Sequence, residues 1–147
     1  MTTTARTGRN GGRWLLTLAN AITVGASVAA DWNGSHVFNK RWPAHARFHA
    51  VASLATTASL AALAVVAVWT EAEPAPDRRV AGRDLAAAVP VAYWGAFFPA
   101  LLVPGTAVDD PPHPVARVAG LPTNLLGAGA TTLTAVGGWL LDRRLRG

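Results

Sequence analysis

The chain has 147 residues, one domain's worth, of which 51% are hydrophobic and 14% charged, against roughly 25% charged in soluble domains. That balance points to lipid. The absence of cysteine removes disulfides and thiolate metal sites, so a metal would need His, Asp or Glu. The net charge of +5 is spread over segment ends and forms no basic stripe, which argues against nucleic acid and suits anionic lipid headgroups.

Four windows carry no charged residue or histidine: 14–30, 50–69, 85–103 and 121–141. Each is long enough to cross a hydrocarbon core of roughly 30 Å as a helix. The expected fold is therefore all-α: one polytopic membrane domain over 1–147, an antiparallel bundle of four transmembrane helices. Trp14, Trp32, Trp42, Trp69 and Trp139 sit at or near window ends, where an amphipathic ring suits the membrane interface.

The first window follows Arg6, Arg9 and Arg13 and ends in Val28-Ala29-Ala30, so it can also be read as a secretory signal with a small-residue cleavage site. Both readings place Asp31 on the far side of the membrane. With the N-terminus inside, nine Lys and Arg fall on the cytoplasmic side and four outside. The positive-inside rule thus favours two cytoplasmic termini and an extracytoplasmic first loop.

That loop and the start of the second helix read DWNGSHVFNKRWPAHARFH from Asp31 to His49. Asn33-Gly34 signals a turn in which Asp31, Asn33 and Ser35 can simply finish the first helix. Pro43 suits a helix start. From there, at roughly 100° per residue, His45, His49, Ser53 and Thr56 share a face, expected to look into the bundle, and Arg47 points nearly opposite. Arg47 can reach lipid phosphates or pair with Asp31.

Ala21, Gly25 and Ala29 in the first window, and Gly127, Thr131 and Ala135 in the fourth, form four-residue stripes of small side chains expected to be helix contacts, with a dimerising face as the alternative. Pro90 and Pro99 interrupt the third window, where neighbouring helices or Ser and Thr must satisfy the freed carbonyls. The second loop, rich in Pro and charge, reads as a solvated connector. In the third, prolines hold Asp109, Asp110 and His113 in a constrained segment.

All four histidines, with Asp31, Asp109 and Asp110, therefore fall on the outer side. His45 and His49 at i, i+4 can offer two imidazoles to a divalent metal, and a carboxylate from Asp31, Asp109 or Asp110 can complete the set, Asp31 being the favoured one. The same groups can act as acid and base without metal, or cap helix ends. Haem between His49 and His113 is a weaker option, because the prolines around His113 spoil an axial ligand. The candidate catalytic set is Asp31, His45, His49 and His113. Candidate ligand-binding residues are His36, Asn39 and Arg47, with Tyr93 and Trp94 from the third window as packing residues or cavity lining.

Asp31-Trp32-Asn33, Ser35-His36, Asn39, Trp42-Pro43 and His45-Ala46-Arg47-Phe48-His49 together resemble the signature of a family of short four-helix integral membrane proteins of bacteria and fungi, a domain of unknown function. The resemblance implies the four-span architecture and supplies no reaction. The expected activity, from residue chemistry, is a His/Asp site at the outer mouth acting on a lipid-like or otherwise hydrophobic small molecule. The alternative is a small carrier or structural subunit whose polar cluster caps the bundle or binds a partner. Oligomeric state is not readable.

Overall fold

The computed structural model describes residues 10–70, 81–109 and 113–146, and the chain within them is mostly helical. The elements are α1 (Gly11–Asp31), α2 (Ala44–Thr70), α3 (Gly82–Gly95), the single turn α4 (Phe97–Ala100), a hairpin of β1 (Arg117–Val118) and β2 (Leu121–Pro122), and α5 (Thr123–Arg146). Asp77, Asp110 and the loop prolines Pro111 and Pro112 lie outside the described residues.

Local chemistry sets the boundaries. At the end of α1 the Asn33 amide donates to the carbonyls of Ala29 and Ala30, satisfying acceptors that a helix C-terminus leaves open. Pro43 stands immediately before α2 and its carbonyl accepts the Arg47 N–H at 3.2 Å, so α2 begins where the Trp-Pro pair implies. At the start of α3 the Asp84 carboxylate accepts the Ala81 N–H at 2.9 Å, a reach-back that ties the helix to its entry.

The third window departs from a single helix. Pro90 and Pro99 lack the N–H groups that would bond the carbonyls of Ala86 and Gly95, and the helix breaks at Ala96 before the short α4. Thr106 then folds back and donates to the Ala100 carbonyl. Residues 101–103, expected in the span, lie beyond α4. At the other end, α5 begins at Thr123 and runs past the expected boundary into its charged last turn.

Consecutive long helices run in opposite directions. The starts of α1 and α3 meet the ends of α2 and α5: Trp14 stacks edge-on against Trp69 with centroids 4.8 Å apart, and Trp139 Nε1 donates to Asp84 at 2.6 Å. At the opposite end Ser27 of α1 lies 2.7 Å from the Tyr93 hydroxyl of α3. Helix α1 packs on α2, α3 and α5, while α2 and α5 take opposite corners.

Packing follows small residues, but the stripes singled out above take only a part in it. The α1–α5 crossing closes on Gly12 and Gly138: a Cβ would fall 2.5 Å from the Asp142 nitrogen at the first and 2.9 Å from the Leu15 Cβ at the second. Glycine there lets backbones touch. Ala21, Gly25 and Ala29 are exposed instead, and so is Gly127, whose missing Cβ would meet nothing, whereas Thr131 and Ala135 are buried. Leu16, Ala64, Val68 and Ala86 form the core cluster, with Trp69 and Trp139 against it.

Polar side chains inside α1 lock it to its neighbours. Asn20 donates both to Leu16 O in its own helix and to Ala86 O of α3, at 2.9 and 2.7 Å. The second acceptor is the carbonyl that Pro90 leaves without a partner. Thr17 and Thr23 each give their hydroxyl proton to the carbonyl four residues back and accept the indole N–H of Trp69 and Trp94, at 2.8 and 2.9 Å. Ser27 likewise donates to Thr23 O, so the Tyr93 hydroxyl is left to donate to Ser27. The requirement posed by Pro90 is met by an asparagine from α1.

Helices α1 and α2 are each long and apolar enough to cross a membrane, and only 28% of either window is buried. Leu60, Leu63 and Val66 of α2 and Leu133 of α5 are all exposed.

Candidate functional site

An open cleft of about 600 Å³ runs between α2 and α3. From α2 it is lined by His49, Ala52, Ser53, Thr56, Thr57 and Leu60, and from α3 by Ala88, Val89, Ala92 and Tyr93. The antiparallel helices give it a gradient. His49, Ser53 and Tyr93 stand at the end next to the Asp31–His49 segment, and Leu60, Ala88 and Val89 at the inner end. The Tyr93 ring is fixed by its hydroxyl contact to Ser27, so this wall is held in place from α1.

At the mouth, the Nε2 atoms of His45 and His49 are 3.0 Å apart and the rings stand edge-to-face. A contact of that length between two imidazole nitrogens needs one N–H and one lone pair, so at least one ring is neutral. Phe48 packs against both rings. The pair is exposed beside the cleft.

The helical arithmetic for His45, His49, Ser53 and Thr56 holds, since they follow one edge of α2, but that edge does not face the interior. All four are exposed, and the buried face is Leu54, Thr57, Ala61, Ala64 and Val68. Small side chains on that face permit the closer approach and decide which way the helix turns. Arg47 lies partly inside, its Nε buried without a hydrogen-bond partner and with no ion pair to Asp31 among the described residues.

Asp31 is not brought to the histidine pair. Its electrostatic partner is His36. Among the described residues no three His, Asp or Glu side chains gather as a metal-ligating group, so the expected set of His45, His49 and Asp31 does not assemble. Two imidazoles in mutual contact leave a metal one donor short of a three-ligand site. His113 is exposed between α4 and β1, in a different segment from the pair.

The rest of the loop is occupied with its own backbone. Asn33 Oδ1 accepts the N–H groups of Ser35 and His36 and the Ser35 hydroxyl, an Asx turn. His36 Nδ1 lies 3.0 Å from Ser35 Oγ, and its ring stands on Trp42. The Asn39 amide donates to Ser35 O and its oxygen accepts the Arg41 N–H. Asn39 thus serves the turn, and Trp94, buried and bonded to Thr23, lies outside the cleft lining.

In the third loop Asp109 accepts the Val115 N–H and pairs with Arg117. That backbone bond, then the guanidinium, holds its carboxyl below the ordinary aspartate range. Asp109 is thereby committed to the hairpin.

Sequence reasoning overlooked the end of the molecule away from the histidines. Asp84 links the Ala81 N–H and the Trp139 indole, and Arg143 lies over the Trp139 ring, 4.6 Å from its centroid. Asp142 is buried against the α1–α5 crossing. The signal was present as Asp84 at the third residue of a helix and Trp139-Arg143 at i, i+4, a spacing that stacks a cation on an aromatic ring.

Helices joined in this way, with an imidazole pair beside an open apolar cleft, occur here in a chain whose residues 16–147 match a family of unknown function, DUF6640. The chain belongs to that family. No curated protein and no solved structure matches it.

Proposed function

We propose that the protein is a four-span integral membrane protein that binds a lipid-like molecule in the α2–α3 cleft, with His45 and His49 as acid–base groups at its outer mouth. The open cleft beside His49 carries the reading. Its walls are mostly apolar, it is of ligand size, and His49 and Tyr93 offer polar atoms at its outer end, where an amphiphile lying along the membrane normal would place its head.

Two features support the membrane part. The apolar residues that α1, α2 and α5 leave exposed would be costly in water and are satisfied by lipid, and the carbonyl that Pro90 frees in α3 is served by Asn20 rather than left open. The charge distribution orients the chain with both termini in the cytoplasm and the histidine pair outside. Leu16, Asn20 and Thr23 bind α1 into the core, which favours a retained first span over a cleaved leader.

The non-enzymatic alternative has an observation of its own. Asn33, Ser35 and Asn39 spend their hydrogen bonds on the turn, so this half of the signature caps helix ends while His45 and His49 attend the cleft. Native mass spectrometry of protein released from its own membrane tests the reading. Wild type should carry a hydrophobic small molecule, and Ala92→Trp, which fills the cleft from an exposed position, should lose it. Equal occupancy in the two would place the ligand elsewhere and remove the proposal.

A further inference from the structure

Resting on that reading of the cleft, we infer that its occupant is a long-chain carboxylic acid, held with its carboxylate between His45 and His49 and its chain running toward Leu60. Three observations point to this chemistry.

The first is the head end. Two imidazole nitrogens converge at the mouth, 3.0 Å apart, and can open by a small ring rotation to give two N–H donors to one acceptor group. A carboxylate offers two oxygens to such a pair. Among the described residues neither Lys nor Arg lines the cleft, whereas a phosphate ester would call for the multiple fixed donors of a guanidinium. A neutral headgroup would accept the same N–H groups without the added strength of a charged acceptor.

The second is length. From His49 to Leu60 the α2 wall spans eleven steps, about 17 Å at 1.5 Å per residue. An extended chain advances about 1.2 Å per bond, judged from the 3.3–3.6 Å covered by three backbone bonds, so roughly 14 carbons fill it. The third is the gradient of the lining. Ser53 and Tyr93 lie near the head, the hydroxyls of Thr56 and Thr57 follow along α2, and Leu60, Ala88 and Val89 surround the tail end.

The experiment titrates wild-type protein in phosphatidylcholine nanodiscs with tetradecanoic acid and, separately, with tetradecanol, following the Nε2 resonances of His45 and His49. The acid should bind saturably and shift both resonances, and the alcohol should bind about tenfold more weakly, the difference a charge-assisted contact makes. In the double variant His45→Gln, His49→Gln, followed by tyrosine fluorescence, that preference should vanish. The acid–alcohol comparison needs no variant, so a misfolded mutant cannot rescue the inference. Equal affinity of wild type for acid and alcohol would overturn the headgroup assignment while leaving a lipid-like ligand in place. Failure of both to bind, with Ala92→Trp still losing its native ligand, would overturn the chain-length and carboxylate assignments but not the cleft.

Discussion

The Asn20 side chain of α1 hydrogen-bonds the Ala86 carbonyl of α3 at 2.7 Å, and Ala86 is the residue whose helical partner would have been the N–H that Pro90 lacks. One helix thus repairs the break in another. In an apolar surrounding an unsatisfied carbonyl is costly, so the pair fixes α1 against α3 at a defined height and holds Tyr93 toward the cleft.

The energetic consequence is a coupling. Asn20→Leu should destabilise the fold by about 1–3 kcal/mol, the usual cost of stranding a buried acceptor. In a Pro90→Ala background the restored N–H serves Ala86, and the cost should shrink. Detergent-phase unfolding of the two single variants and the double variant measures it. Strict additivity would mean that Asn20 does not act through the proline.

Glycine positions at the helix crossing give a contrast. Gly138→Leu should lower stability by about 1–3 kcal/mol through overpacking against Leu15 and Leu16, while Gly127→Leu should be close to neutral, because no neighbour meets its Cβ. Thermal unfolding of the two proteins side by side decides it. A large loss at Gly127 would reveal a contact with a second molecule.

The hairpin carries backbone strain. Ala119 has φ +50° ahead of Gly120 at φ +82°, a pair of left-handed residues that suits Asn-Gly better than Ala-Gly. Ala119→Gly should stabilise the hairpin by about 1 kcal/mol, seen as slower amide exchange at Val118. Faster exchange would show that the alanine side chain contributes more than its conformation costs.

Asp109 sets the acid response of the same loop. Its folded carboxyl titrates below the unfolded value of about 3.9, so the stability it contributes is present above that value and is lost as pH falls through the lower, folded one. Carbon-13 titration should place the Asp109 midpoint below that of an exposed aspartate, and Arg117→Met should move it partway back, the Val115 N–H remaining. An unchanged midpoint in the variant would remove Arg117 as a cause.

Much of this architecture is written in the sequence, because charge-free windows mark where the long helices lie and Pro43 marks where the second one starts. What the sequence withheld is which side of each helix meets which neighbour. The i, i+4 arithmetic grouped His45 with His49 but could not tell an inner face from a cleft edge, a choice made by Ala61, Ala64 and the glycines of other helices. A lone Asn20 in an apolar run reads as an irregularity until Pro90 is placed beside it. The hairpin at Val118-Ala119-Gly120-Leu121 has strands two residues long, too short for alternation to show. Asp31 and His49 are separated by a folded turn rather than a direct path, and only the course of that turn reveals that Asp31 answers to His36.

Everything proposed for the histidine pair depends on its lying outside the membrane, and the cysteine-free chain allows that to be measured cleanly. Single cysteines at Lys40, Val118 and Arg144 can be challenged with a membrane-impermeant thiol reagent on intact cells and after permeabilisation. The account predicts labelling of Lys40→Cys and Val118→Cys in intact cells, and of Arg144→Cys only once the membrane is opened. Labelling of Arg144→Cys together with Lys40→Cys in intact cells would contradict the odd number of crossings that the four-span arrangement puts between them, and the reverse pattern would turn the cleft toward the cytoplasm.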